Sequence, residues 1–201
     1  MTAAIVILNA GHGDKGSRYD SGAVHLGYRE APLVRSMFDI LGPMLEKDGI
    51  TVHQIGRGPY AARDATAIRI ARDNPGARVV HVLGHINSAE RPGRYAAVFH
   101  DHRSGGGKAA AVEVASHLGT MAEVDSCMVI AAQSGDWTGR AYSVMRRTYS
   151  GPANISAILL ETHFINQPRH QALNTPEGLS RIASLVAAGL TDYLIDNPAQ
   201  T

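Results

Sequence analysis

Short runs of apolar, β-branched residues recur along the chain and alternate with longer segments of helical periodicity. Consecutive apolar positions are typical of strands that are buried on both faces of a parallel sheet. The pattern predicts strands at residues 3–8, 51–55, 78–83, 96–100, 128–132 and 157–160. It favours a single α/β domain, with a mostly parallel central sheet of about six strands and helices on both faces.

The intervening segments carry the start and stop signals of helices. One helix is predicted to begin near Glu30 and to end at Gly49, because glycine readily adopts the conformation that follows a helix. Further helices are expected at residues 62–73, 108–118 and 175–194. Thr175 is the expected cap of the last helix, with Pro176 in its first turn.

The composition limits the number of domains that the chain can form and the classes of partner that it can bind. With 201 residues, of which 44% are hydrophobic, the chain suits one core, so we expect one domain at 1–196 and a tail or linker at 197–201. Lysine and arginine number 19 against 18 acidic residues, which disfavours a nucleic-acid partner. The single cysteine, Cys127, lies in an apolar run and is interpreted as a packing residue.

Two features of the sequence bear on location. The apolar stretch at 3–8 is shorter than the core of a signal peptide and has no basic leader, so it is interpreted as the first strand. No stretch approaches the ~20 apolar residues that a membrane span requires, so membrane insertion is not expected. The chain is therefore expected to be made in the cytoplasm without a signal peptide.

Three ionisable residues directly follow predicted strands, namely His12, His85 and Glu161. The carboxyl ends of parallel strands are where ligands collect in such sheets. Glu30 opens the first helix after an irregular loop, so its carboxylate can return to the same edge. Two imidazoles and one carboxylate suit catalytic zinc, because three protein ligands leave one coordination position open. His12, Glu30 and His85 are therefore the predicted ligands of one Zn²⁺ ion.

Glu161 has a different predicted role. Hydrolysis of an amide requires a group that accepts a proton from water and passes it to the departing nitrogen. A carboxylate next to the metal ligands suits this task, and Glu161 is the predicted catalytic residue.

Four segments resemble the zinc-dependent N-acetylmuramoyl-L-alanine amidases (amidase type 3), a family that includes bacterial cell-wall amidases and phage endolysins. They are Ile7-Leu-Asn-Ala-Gly-His-Gly, Glu30, Gly84-His-Ile-Asn and Leu160-Glu-Thr-His-Phe-Ile-Asn. The resemblance spans roughly residues 3–195 and implies the same assignments of His12, Glu30, His85 and Glu161. Phe164 and Asn166 also follow the family pattern.

The sequence departs from this pattern in three places. The loop between His12 and Glu30 is longer than usual, which leaves Asp14, Asp20 and His25 as alternatives to Glu30 as a ligand. Gly84 and Ile86 stand where the family commonly has serine and alanine, and we interpret these positions as shaping the pocket.

Several other residues have competing interpretations. His81 lies in a β-branched run and is expected to be a hydrogen-bonded core histidine or a support for a ligand. His100 and His102 are expected in a solvated turn, and residues 104–108 in a flexible connection.

Trp137 follows a predicted strand and is a candidate for lining the substrate groove, although packing explains it equally. The same ambiguity applies to Arg57, Arg63 and Arg140, which are candidates for contacting the acidic groups of a muropeptide or ordinary surface charges.

The resemblance implies a hydrolase that cuts the amide between N-acetylmuramic acid and L-alanine in peptidoglycan, its expected partner. The absence of an export signal favours an endolysin that acts on the cell wall after release. Two rival functions remain: a zinc peptidase that cuts another amide of peptidoglycan, and a non-catalytic peptidoglycan-binding protein. The sequence leaves the oligomeric state undetermined.

Overall fold

The computed structural model describes residues 3–14, 16, 18–135 and 138–196. These described residues contain ten strands: β1 (Ala4–Ala10), β2 (Gly13–Asp14), β3 (Tyr19–Asp20), β4 (Val24–His25), β5 (Tyr28–Arg29), β6 (Thr51–Ile55), β7 (Arg78–Asn87), β8 (Tyr95–Asp101), β9 (Ser126–Ala132) and β10 (Ile155–Phe164). Its α-helices are α1 (Glu30–Lys47), α2 (Tyr60–Asp73), α3 (Gly105–Leu118), α4 (Gly139–Tyr149) and α5 (Pro176–Asp196). A 3₁₀ helix spans Pro168–Asn174.

Six strands form the central sheet, in the order β6-β1-β7-β10-β8-β9. Neighbouring strands are parallel except at β10 and β8, which pair antiparallel. The mostly parallel α/β fold predicted from the sequence is confirmed. The single reversal has a consequence for the site: the carboxyl ends of β1, β7 and β10 share one edge, whereas those of β8 and β9 lie at the opposite edge.

Helices cover both faces of the sheet and bury its apolar side chains. Helices α1, α3 and α5 pack on one face, where Val6 and Leu8 of β1 lie in the larger core. Helices α2 and α4 lie on the other face, where Ile5 and Ile7 of the same strand contact α2. Because successive side chains of a strand point to opposite faces, an unbroken apolar run is required here.

The predicted helix at 108–118 begins earlier than expected, at Gly105. The Oγ atom of Ser104 accepts a hydrogen bond from the backbone N–H of Gly107 at 2.9 Å and so caps the helix. A Cβ atom on Gly106 would lie 2.4 Å from Ser156 Oγ, so the close packing of the first turn against β10 requires glycine. The expectation of a flexible connection at 104–108 is therefore wrong.

Three further expectations need correction. Helix α4 and the 3₁₀ helix were not predicted, because their sequences are short and mostly polar. Strand β9 lies at the end of the sheet, so it is only partly buried rather than a core strand, and Cys127 is half-buried. His100 is buried, 4% exposed, and does not lie in a solvated turn.

Among the described residues, no helix is both long and apolar enough to span a membrane. The predicted tail at 197–201 lies outside the described residues.

One buried charge in α2 makes stability depend on pH. Burial raises the pKa of Asp64 to about 6, although Arg147 Nη1 lies 3.4 Å from its Oδ2. Within the described part of the chain, Oδ1 of Asp64 has no hydrogen-bond partner. The folded state therefore binds the proton more tightly than the unfolded state, and Asp64 lowers stability as the pH rises through about 6.

Replacing Asp64 with asparagine removes this charge without changing the shape of the side chain. The variant is expected to be more stable than the wild type at pH 7.5, by up to ~3 kcal/mol, and about equally stable at pH 4. Urea unfolding of both proteins at the two pH values measures the difference. An advantage of the variant that is equal at both pH values would contradict this explanation.

Candidate metal centre

His12 lies immediately beyond β1, in a backbone conformation with φ of 56° that few residues other than glycine adopt. Two interactions hold it there. Its backbone N–H donates to the hydroxyl of Tyr60 at 2.9 Å, and its carbonyl accepts from Arg63 Nη2 at 2.8 Å. The first residues of α2 thus maintain a strained turn that directs the imidazole across the sheet edge.

Glu30 is the first residue of α1, and it is buried. Its Oε2 accepts a hydrogen bond from the backbone N–H of Ala23 at 2.9 Å, and its Oε1 accepts one from that of Ile86 at 3.2 Å. The two small hairpins β2–β3 and β4–β5 occupy the long loop before the helix, so the chain returns to the edge from which it departed.

His85 lies near the carboxyl end of β7, next to β1. The backbone immediately after β1 approaches this imidazole closely at Gly11. A Cβ atom on Gly11 would lie 2.4 Å from Cε1 of His85 and 2.5 Å from the carbonyl oxygen of Gly84. Only glycine leaves room for the ring at this position.

These three side chains converge although they come from distant parts of the sequence. Nδ1 of His85 lies 2.9 Å, and Nε2 of His12 3.3 Å, from Oε1 of Glu30. One potential ligand atom from each residue lies within 4.8 Å of the others, and they form the only such group of three or more among the described residues.

The electrostatics of the cluster favour an ionised Glu30. Burial alone would raise the pKa of Glu30, but hydrogen bonds to His12 and His85 hold it well below its usual range. Burial would lower the pKa of His12, yet Glu30 and Asp20 together raise it. The cluster therefore holds a carboxylate next to imidazoles that readily bind a cation, a proton or a metal ion.

Glu161 lies beside this group. It is the register partner of His85 on the adjacent parallel strand β10, so both side chains leave the sheet on the same face. Burial and the charge of Glu30 raise the pKa of Glu161 well above its usual range. Its Oε2 is buried and has no hydrogen-bond partner among the described residues.

The three alternatives to Glu30 lie outside the cluster. Asp20 is behind it: its Oδ2 lies 2.9 Å from Nδ1 of His12, so it orients the ring and leaves Nε2 directed at Glu30. Asp14 is exposed and accepts the N–H of Gly16, and His25 belongs to the hairpin β4–β5. Neither belongs to the group of potential ligands.

Arg63 is neither a surface charge nor an accessible contact for substrate, because it is only 2% exposed. Its guanidinium donates to the carbonyl oxygens of Gly58, Ala10, His12 and Asp14 at 2.6–3.0 Å, and more weakly to Oδ1 of Asn9 at 3.4 Å. The sequence offered no signal for this role, because an arginine in an amphipathic helix is usually exposed.

His81 is a core histidine, as predicted. Its Nε2 accepts from Asn9 Nδ2 at 3.1 Å, and its Nδ1 donates to Thr148 Oγ1 at 3.1 Å. Complete burial lowers its pKa to about 3, so the ring is neutral at physiological pH.

The positions that depart from the family pattern pack in the core rather than line the pocket. A Cβ atom on Gly84 would lie 2.6 Å from Cζ of Phe38 and 2.7 Å from Cγ1 of Val34. Ile86 is 2% exposed and belongs to the larger core. These large α1 side chains occupy the space that a serine side chain would need, so the interpretation that Gly84 shapes the pocket is wrong.

Phe164 and Asn166 support the loop after β7. Phe164 packs edge-on against Tyr95 with ring centroids 5.0 Å apart. The side-chain amide of Asn166 donates to the carbonyl of Ala89 at 2.7 Å.

The segment after β9 does not lie at the edge of the cluster, because β9 runs opposite to β7 and β10. The interpretation that this segment borders the active edge is therefore wrong. Trp137 and the side chain of Arg140 lie outside the described part of the chain, and Arg57 is exposed.

Two histidines and a carboxylate lie at the carboxyl edge of a mostly parallel sheet, with a second carboxyl group beside them, an arrangement that suits a hydrolase and could hold a metal ion. The chain belongs to the amidase 3 family of N-acetylmuramoyl-L-alanine amidases, whose family model matches residues 6–192. No curated protein sequence matches the chain.

Solved structures share the fold over nearly the whole chain. The N-acetylmuramoyl-L-alanine amidase AmiC2 of Nostoc punctiforme is 22% identical, with a TM-score of 0.70 over 96% of this chain and 97% of its own. The N-acetylmuramoyl-L-alanine amidase of Clostridium difficile 630 is 17% identical, with a TM-score of 0.72 and coverage of 99% and 100%. The catalytic domain of the CD27L endolysin, which targets Clostridia difficile, is 17% identical, with a TM-score of 0.68 and coverage of 94% and 97%.

Proposed function

We propose that this chain hydrolyses the amide bond between the lactyl carbonyl of N-acetylmuramic acid and the nitrogen of L-alanine in peptidoglycan. Membership of the amidase family supports the reaction class. The observation that carries the proposal for this chain is the convergence of His12, Glu30 and His85 within 4.8 Å, with Glu161 beside them.

The donor set fits one Zn²⁺ ion. Two imidazole nitrogens and one carboxylate oxygen are ligands that zinc prefers, and three protein ligands leave room for water or substrate. Asp20, which lies 2.9 Å from Nδ1 of His12, would orient that ring so that Nε2 faces the ion. When bound, zinc would supply Lewis-acid polarisation of the substrate carbonyl and activation of a water molecule.

Glu161 is suited to moving the proton. During hydrolysis a water molecule adds to the lactyl carbonyl, and its proton must reach the alanine nitrogen before the C–N bond breaks. Burial and the charge of Glu30 raise the pKa of Glu161, which makes its carboxylate a stronger base toward the proton of water, and its buried Oε2 has no hydrogen-bond partner among the described residues. Glu161 would accept the proton of water and donate it to the leaving amine.

We further infer that the biological role is lysis of the bacterial cell wall, as in an endolysin. The fold likeness to an endolysin catalytic domain supports this role, since that domain and this chain cover each other almost completely.

Metal removal and product analysis test the proposal. Purified protein incubated with peptidoglycan is expected to release stem peptides that begin with a free amino group on L-alanine, identified by mass spectrometry. A chelator is expected to abolish release, and added zinc is expected to restore it. Peptides cut within the stem would instead identify a peptidase, and the absence of any fragment would leave a binding protein.

Two histidine variants distinguish a predicted metal ligand from a histidine that lies outside the cluster. His85→Ala is expected to lose the bound metal and the activity, whereas His25→Ala, on the hairpin that precedes α1, is expected to keep both. Metal content measured by elemental mass spectrometry decides the assignment. Loss of the metal in His25→Ala with retention in His85→Ala would overturn it.

A further inference from the structure

A cavity of about 360 Å³ lies beside the edge strand β6 and next to the segment that carries His12. Helix α1 contributes one wall, and the beginning of α2 contributes another. Ala10 and Gly56, at the carboxyl ends of β1 and β6, line it where it approaches the candidate metal centre. Its volume lies within the range of sites that bind small molecules or peptide groups.

The charged side chains that line this cavity are mostly positive, and we call it the arginine groove: Arg35, Arg57 and Arg63, with Asp39 as the single acid. The buried Arg63 directs all its donors to protein oxygens, so none is left for a ligand. Arg35 and Arg57 are exposed, and within the described residues neither forms a hydrogen bond or an ion pair. Burial and the nearby charge of Arg35 lower the pKa of Arg63, and because like charges repel, an anion bound between Arg35 and Arg57 would reduce the repulsion in this cavity.

The groove lies next to the residue that follows His12. A Cβ atom on Gly13, the residue after His12, would lie 3.7 Å from Nη2 of Arg35. Arg35 is five residues after Glu30 on α1, which corresponds to ~7.5 Å along the helix axis. An extended peptide advances about 3.3–3.6 Å per residue, so a group two residues from the cleaved bond reaches about 7 Å.

We propose that the arginine groove binds a free carboxylate of the substrate peptide, namely the α-carboxylate of the second stem residue, with Arg35 and Arg57 as donors. The inference rests on the proposed function, because the peptide must enter from the cluster of His12, Glu30 and His85. Guanidinium groups pair with carboxylates through two parallel charge-assisted hydrogen bonds, and a neutral amide at the same position forms only weaker ones. The groove would therefore make the enzyme prefer stems whose second residue is not amidated.

The test compares two soluble substrates that differ only in this group. N-acetylmuramoyl-L-Ala-γ-D-Glu-L-Lys carries the free α-carboxylate, and the matched substrate carries the α-amide. The wild type is expected to have a KM about tenfold lower for the carboxylate, with a similar kcat. Arg35→Gln and Arg57→Gln are each expected to remove most of this preference without changing kcat, whereas Arg72→Gln, an exposed position of α2 outside the groove, is expected to retain it.

Equal KM values of the wild type for both substrates would overturn the carboxylate site and leave the amidase function intact. If neither substrate is cut, the proposed function fails, and a binding measurement then tests whether the arginine groove binds the carboxylate. Calorimetry then measures the affinity of the wild type for L-Ala-γ-D-Glu-L-Lys and for its α-amide. Tighter binding of the carboxylate, lost in Arg35→Gln, would support the groove, and equal binding would reject it.

Discussion

Replacing Glu161 with glutamine is expected to lower kcat by at least about a hundredfold, because an amide cannot accept a proton from water and return it to the leaving nitrogen. The two side chains have nearly the same shape. KM and the bound metal are therefore expected to change little. Because glutamine carries no charge in this buried position, the melting temperature is expected to stay within about 3 °C of the wild type. Product release from peptidoglycan, metal content and thermal unfolding are the three measurements.

The matched control is Glu46→Gln, an exposed glutamate near the opposite end of α1 from Glu30. It is expected to keep full activity. If Glu161→Gln lost its metal together with its activity, Glu161 would be a ligand rather than the proton carrier. If it kept its activity, a different group would transfer the proton.

Replacing Arg63 with methionine is expected to destabilise the protein by ~3–5 kcal/mol, because several buried carbonyl oxygens would lose their donors at once. In a domain of this size the loss corresponds to a melting temperature lower by about 10 °C. The affinity for zinc is also expected to fall, because the carbonyls of His12 and Asp14 are among those acceptors. Thermal unfolding and zinc titration with a competing chelator measure the two effects.

Two variants serve as controls for Arg63. Arg69→Met, on the exposed face of the same helix, removes a guanidinium whose Nη1 lies 3.9 Å from Asp73, and is expected to cost less than ~1 kcal/mol. Arg63→Lys keeps the charge but lacks the planar guanidinium with its five N–H donors. It is therefore expected to recover only part of the stability that Arg63→Met loses. A destabilisation of Arg63→Met no larger than that of Arg69→Met would show that the turn after β1 does not need the guanidinium.

The part of the fold that depends on hydrophobic pattern could be predicted. The central strands β1, β7 and β10 are nearly continuous apolar runs, since both faces of the sheet are covered there, and such runs stand out in any sequence. Helix α5 was predicted from its cap at Thr175, whose hydroxyl accepts the N–H of Gly178 at 3.2 Å. Helix α4 was not, because its sequence is polar and its place depends on packing against β10 and α2.

The same distinction applies to the candidate site. The positions of His12, His85 and Glu161 after strands are local features, and the rule that parallel strands share a carboxyl edge is enough to bring them together. The local sequence does not decide whether Glu30 or one of Asp14, Asp20 and His25 is the third member of the group. The choice depends on how two short hairpins fold the intervening loop, and no periodicity describes such a loop.

The sequence by itself determined the fold class, the family resemblance and the residue types available for a metal ion, since each depends on residues near one another in the chain. Only the tertiary structure decided the reversed direction of β8 and β9, the burial of Arg63 beneath the turn at His12, and the packing of Phe38 against Gly84. These features arise from contacts between segments that are distant in sequence. Their free energy depends on which surfaces meet, and the pattern of a single segment does not contain that information.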